Sequence, residues 1–159
     1  TVRSLKFMPI EIKPPNNWLN QSPSQRGPHK MRVICRTNEL TPKQRIDLDL
    51  TSWSGTYPIE IGKTYTVLGI SVRANSGPGI MLDIPADRYV LPLPLCLFDI
   101  VDSRPSRYWQ AQKEGDYVLR LQPEAFFIKS FFDKLSELDP EVSAIYRELR
   151  ARMESEFDA

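Results

Sequence analysis

The spacing of the hydrophobic positions changes along the chain, and each change predicts a different kind of element. From Met31 to Leu121 the apolar residues come in short β-branched or alternating runs, separated by Gly, Pro, Asn and Asp. That pattern predicts strands. Met31-Arg-Val-Ile-Cys-Arg-Thr37 is the first, closed by Asn38. Thr64 to Arg73 reads as one long strand, and Gly69 inside it predicts a bulge or bend. Ala74 to Gly79 is a hairpin loop, Gly79 to Ile84 the returning strand, and Pro85 to Arg88 the next turn. Tyr89 to Val101 is apolar but broken by Pro92 and Pro94. It predicts a short strand, a proline corner with a single 3₁₀ turn, and a last strand at 97–101. Arg107 to Ala111 and Asp116 to Leu121 are two further short strands around Glu114-Gly115.

Two stretches carry other signals. Thr41-Pro42 resembles a helix N-cap with proline in first position, yet Ile46, Leu48 and Leu50 then alternate as in a strand. Thr51-Ser-Trp-Ser-Gly55 reads as an exposed loop. After Gln122 the period shifts from 2 to 3.6. Pro123 opens a predicted helix with Phe127, Ile128, Phe131, Phe132, Leu135 and Leu138 on one face. Asp139-Pro140-Glu141 caps a second helix, whose stripe is Val142, Ile145, Tyr146, Leu149, Met153 and Phe157. Its outer face pairs Glu148 with Arg152, Arg150 with Glu154 and Arg152 with Glu156.

Composition adds an arm and a charge asymmetry. Fourteen of the 159 residues are proline, roughly 9% against the usual ~5%. Five of them (Pro9, Pro14, Pro15, Pro23, Pro28) fall in residues 1–30, which excludes a helix or central strand there and predicts an extended arm. The net charge of +1 conceals an uneven distribution. Residues 1–45 hold nine Lys/Arg against two Asp/Glu, residues 46–122 seven against nine, and residues 123–159 five against nine. A basic front is balanced by an acidic back. No run of 18 apolar residues is present and the first residues lack a signal-peptide core, so no membrane span is expected and the location expected is cytoplasmic. Cys35 and Cys96 lie in apolar runs and read as free buried thiols. With His29 as the single histidine, they supply no usual metal set, and no cofactor is expected.

Met31-Arg-Val-Ile-Cys35, Ile61-Gly-Lys-Thr-Tyr-Thr-Val67, Met81-Leu-Asp83 and Leu97-Phe-Asp-Ile-Val101 together resemble small SH3-like barrel proteins of bacteria and phages, of the toxin-immunity type. The resemblance covers residues 31–102 and transfers no functional residue. It implies a small antiparallel SH3-like β-barrel. The proline-rich arm and the helical period are read from the residues and lie outside the resemblance. With them the expected chain is α+β: an arm at 1–30, the barrel at 31–122, and a two-helix hairpin at 123–159 packed on it.

Little in the sequence points to catalysis. A general base must be held in place, and His29 sits between Pro28 and Lys30 in the arm. Asp47/Asp49 and Asp99/Asp102 are carboxylate pairs, the first on one strand face if residues 46–50 alternate. A solvated face explains them as well. Ser76-Gly-Pro-Gly79 is too short for a phosphate loop. Recognition is better supported. Trp53 and Tyr57 lie among small polar residues, Arg88 in a turn, Tyr108-Trp109 after Arg107, and Glu148 on the acidic helix. These six are the candidate partner-binding residues, with the two rings at 108–109 also placed to seal strands against helices. The function expected is non-enzymatic: a protein-binding domain, an immunity or inhibitor protein that occludes a toxin. The alternative is a nucleic-acid-binding barrel using the basic N-terminal region.

Overall fold

The computed structural model describes residues 31–156. The arm at 1–30, with His29, and the stripe residue Phe157 lie outside them. Thirteen short elements follow one another, β-rich first and helical last. Strands β1 (Arg32–Cys35), β2 (Thr64–Thr66) and β6 (Phe98–Asp102) form a three-stranded sheet in the order β2-β1-β6. Strands β3 (Gly69–Arg73), β4 (Ile80–Pro85), β5 (Val90–Pro94), β7 (Trp109–Glu114) and β8 (Val118–Pro123) form a second sheet, in the order β5-β4-β3-β8-β7. All pairings are antiparallel. The chain is therefore α+β, but the expected barrel is not closed. The strand read as continuous from Thr64 to Arg73 stops at Val67-Leu68, and its two halves belong to different sheets.

The break has a packing cause. Val67 and Leu68 are both fully buried, and they enter different cores. Val67 joins Met31, Val33, Cys35, Leu40, Ile59, Leu82, Ile84, Leu93, Leu97 and Phe98 between the sheets. Leu68 joins Phe126, Phe131, Leu135, Val142, Tyr146 and Met153 under the helices. Trp109 packs against both clusters, and its indole N–H donates to the Leu68 carbonyl at 2.8 Å. Tyr108 packs on the second cluster alone. The expected sealing role of this ring pair is what the packing shows. Just after the break, a Cβ on Gly69 would stand 3.0 Å from the Leu121 carbonyl oxygen and 2.8 Å from Asp83 Oδ2. Only glycine lets β3 pass that close to its neighbours.

The helices are shorter than the hydrophobic period suggests. Helix α1 (Pro42–Asp47) is set by a capping box, Thr41 accepting from the Gln44 N–H and Gln44 accepting from the Thr41 N–H. It occupies the ground where Ile46, Leu48 and Leu50 alternate. Asp49 in the left-handed region ends it, so Asp47 and Asp49 share no strand face. The helix expected from Pro123 is instead a 3₁₀ turn at Glu124–Phe127 followed, after a break, by α2 (Phe131–Ser136). Extended Ile128 and left-handed Ser130 make that break. It lets Phe126, Phe131 and Phe132 meet with ring centroids 5.1–5.6 Å apart, which one straight helix would spread along its axis. Helix α3 (Pro140–Ser155) agrees with its sequence signals, Asp139 accepting from the N–H groups of Glu141 and Val142. The pair expected between Arg152 and Glu156 does not form. Glu156 turns inward, fully buried, and accepts from Ser106 Oγ at 2.9 Å and the Arg107 N–H at 3.2 Å.

Because Trp109 joins the two cores through one hydrogen bond, Trp109→Phe is expected to leave the Leu68 carbonyl without that donor and to cost about 1–3 kcal/mol. Urea unfolding should show a lower midpoint with an unchanged slope. An unchanged midpoint would separate the bond from the stability of the join.

Candidate protein-binding groove

The loop between β1 and β2 is long, and its backbone is pinned rather than slack. Tyr57 N–H donates to the Asn38 carbonyl at 2.8 Å, Leu50 N–H to Arg45 at 2.8 Å and Trp53 N–H to Leu50 at 3.1 Å. Thr56 Oγ donates to Glu39 Oε1 at 3.0 Å. Pinning at both ends stacks Trp53 on Tyr57, with centroids 5.4 Å apart and 29° between planes. Trp53 remains 43% exposed, and its ring lies over Gly55, where a Cβ would approach within 3.2 Å. An exposed indole held this firmly suits a contact surface, since little rotamer freedom remains to be lost on binding.

An apolar groove of about 270 Å³ is lined by Leu48, Ile80, Pro94, Leu95 and Cys96, without either ring of the stack. Leu48 comes from the turn after α1, Ile80 begins β4, and the other three belong to the end of β5 and the 3₁₀ turn Leu95–Leu97. Leu48, Leu95, Cys96 and Tyr57 all rest on the first core cluster, which therefore forms the groove's floor. Cys96 lies within electrostatic reach of the Tyr57 hydroxyl. Burial raises the pKa of both groups, so the floor is uncharged at neutral pH. Cys35 is buried as expected, whereas Cys96 is half-buried and borders this groove.

The six candidate residues fall in separate places. Trp53 and Tyr57 form one unit in the β1–β2 loop. Arg88 is exposed in the 86–89 turn, 3.7 Å from Asp87. Tyr108 and Trp109 are half-buried on the cores, with the Arg107 guanidinium 5.2 Å from the Tyr108 ring. Glu148 lies on the exposed side of α3, paired with Arg152 at 2.5 Å. Reasoning from sequence missed the groove itself. Its one available signal was the Pro92/Pro94 corner; Leu48 was read into a strand, and Ile80 is exposed at the start of β4 rather than buried.

Three of the four acids in the two carboxylate pairs have a cationic partner. Asp47 pairs with Lys43, Asp99 with Arg36, and Asp102 with Arg104, whose hydrogen bond holds the Asp102 carboxyl below its ordinary range. Among the described residues no three His, Cys, Asp or Glu side chains converge as metal ligands, and no helix is long and apolar enough to cross a membrane. Asp83 on β4 is the most perturbed acid. Burial raises its pKa to about 6, partly opposed by Arg120. It lines neither the groove nor the clefts beside the helices. No family model, curated protein or solved structure matches the chain.

Trp53 is 43% exposed and belongs to neither buried cluster, so Trp53→Ala should lower stability by no more than about 1.5 kcal/mol, read by thermal or urea unfolding. A larger loss would place the ring in the core. Asp83 titrates higher in the fold than its ordinary 3.8, so its favourable share is complete below about pH 4 and is lost as pH rises towards 6. Asp83→Asn removes that loss. The variant should exceed the parent by about 1–3 kcal/mol at pH 7 and match it near pH 4, measured by urea unfolding at both values.

Proposed function

We propose that this chain is a non-enzymatic protein-binding domain that acts by occluding its partner, in the manner of a toxin-immunity or inhibitor protein. The observation that carries the reading is the Trp53–Tyr57 stack, exposed yet held by its loop, together with an uncharged apolar groove whose Cys96 lies within electrostatic reach of Tyr57. Fixed aromatic anchors beside a preformed apolar depression are what concentrate binding energy at protein interfaces. The strand order supports the SH3-like part of the reading. β1 lies between β2 and β6, β3-β4-β5 form a meander, and a 3₁₀ turn joins β5 to β6. The long β1–β2 loop and that turn then flank one groove. Cationic partners on Asp47, Asp99 and Asp102, three of the four paired carboxylates, support the non-enzymatic part.

The test is a pull-down from the native host followed by binding of the purified partner to the purified chain. A dissociation constant near or below about 1 μM is expected, weakened more than tenfold by Trp53→Ala. Salt-sensitive binding to generic duplex DNA or RNA, with no Trp53 dependence, would overturn the reading in favour of a nucleic-acid-binding role.

A further inference from the structure

A second recess lies on the helical side, independent of the groove. It is a cleft of about 310 Å³ between the 86–89 turn and α3, lined by Asp87, Arg88, Leu138, Ser143, Tyr146 and Arg147. Its walls are fixed. Tyr146 Oη donates to the Tyr89 carbonyl at 3.1 Å, and Arg150 donates to the Ala86 carbonyl, so the turn is clamped to α3 from two positions.

The charges in the cleft are arranged unlike those elsewhere on α3. Arg150 pairs with Glu154 and Arg152 with Glu148, each at i,i+4. Arg147 has Ser143 and Ala144 behind it and Arg150 and Ala151 ahead, so no acid occupies a helical neighbour position. It forms no ion pair or side-chain hydrogen bond among the described residues, and Arg88 meets only Asp87, at 3.7 Å. Two guanidinium groups thus border one cleft with most of their hydrogen-bonding capacity unused. Leu138 adds an apolar wall. It is left-handed at φ 61° and 52% exposed, two unfavourable circumstances for a leucine that a ligand covering it would partly relieve.

We propose that this cleft binds a ligand carrying one oxyanion, carboxylate or phosphate, on a small apolar body. Arg88 and Arg147 hold the oxyanion, the Ser143 hydroxyl is within the same wall to donate to it, and Leu138 with the Tyr146 ring receives the apolar part. The volume is near the lower end of the range for small-ligand sites, about 300 Å³, which limits the body to roughly one ring. Guanidinium suits either oxyanion because its parallel N–H donors match two oxygens at once.

The experiment titrates the full chain with phenyl phosphate and, separately, with phenylacetate, followed by amide and arginine side-chain NMR shifts. At least one probe should shift residues 86–88, 138 and 143–147 with a dissociation constant of about 1 mM or tighter. Tighter phenyl phosphate binding assigns a phosphoryl ligand; tighter phenylacetate binding assigns a carboxylate, including one presented by a protein. Arg88→Gln with Arg147→Gln should weaken binding at least tenfold at an unchanged melting temperature, and Arg88→Gln alone should weaken it measurably. Arg152→Gln, on the same helix, and Trp53→Ala, in the β1–β2 loop, should bind like the parent. Absence of localised shifts with both probes overturns the proposal, as does parent-like binding by the double arginine variant. Neither result bears on the groove.

Discussion

The contact on which the architecture turns is the seat of Trp109 at the Val67-Leu68 step. Two adjacent residues, both fully buried, point into different cores. In a strand the two would point to opposite faces, so a sheet covered on one face alone would leave one of them in solvent. The chain resolves the conflict by ending β2, crossing over, and restarting as β3 in the second sheet. Crossing exposes backbone groups that a ladder would have paired, and a buried carbonyl without a donor costs about 1–3 kcal/mol. The Trp109 indole supplies the donor for Leu68, and Leu68 itself donates to the Asp83 carbonyl. The same ring fills space against both clusters, so one side chain satisfies the polar requirement and the packing requirement of the join.

From that join the rest follows by placement. The first sheet and the β1–β2 loop converge on the 3₁₀ turn after β5, which leaves the uncharged groove. Extension of the second sheet by β8 and β7 on the far edge of β3 brings Pro123 to where the helical segment can cover Leu68. Buried polar groups then fix that segment. Glu156 ties the end of α3 to the Ser106-Arg107 loop, and Tyr146 with Arg150 ties its middle to the 86–89 turn. The charge at the surface is also redistributed by folding. An acidic helical region by composition buries one of its acids, Glu156, and places Arg147 in a cleft with Arg88 of the 86–89 turn.

Much of the β-rich part was legible because strand signals are local. Residues 32–35, 80–85 and 98–102 are strands where β-branched runs and glycine or proline turns place them, and the expected 3₁₀ turn forms at Leu95–Leu97. Pro92 and Pro94 do not break the strand before it, because β5 is an edge strand that needs no N–H from them. Asp139-Pro140 starts α3 for the same reason: cap chemistry acts over three residues. The errors occur where a distant packing demand opposes the local pattern. Phe127, Phe131 and Phe132 fit a helical stripe, but the rings that meet under the helices are those of Phe126, Phe131 and Phe132, which needs a broken backbone. Leu48 and Leu50 alternate as a strand would, yet the Thr41–Gln44 capping box governs the turns before them. Of the candidate site, Trp53 and Tyr57 stood out as aromatic residues in a small-residue loop. Leu48, Ile80 and Cys96 did not, since nothing local to each one indicates that they line a common groove.

The sequence by itself determined most of the strands, the glycine turns, the α3 cap and the rings present in the loops, because these depend on neighbours within a few residues. The tertiary structure decided that the expected barrel stays open as two sheets, that Trp109 packs between the two cores while Trp53 stays exposed, and that Arg88 and Arg147 share a cleft. Each of those outcomes depends on which residues, tens of positions apart, compete for the same buried volume, and no local pattern carries that information.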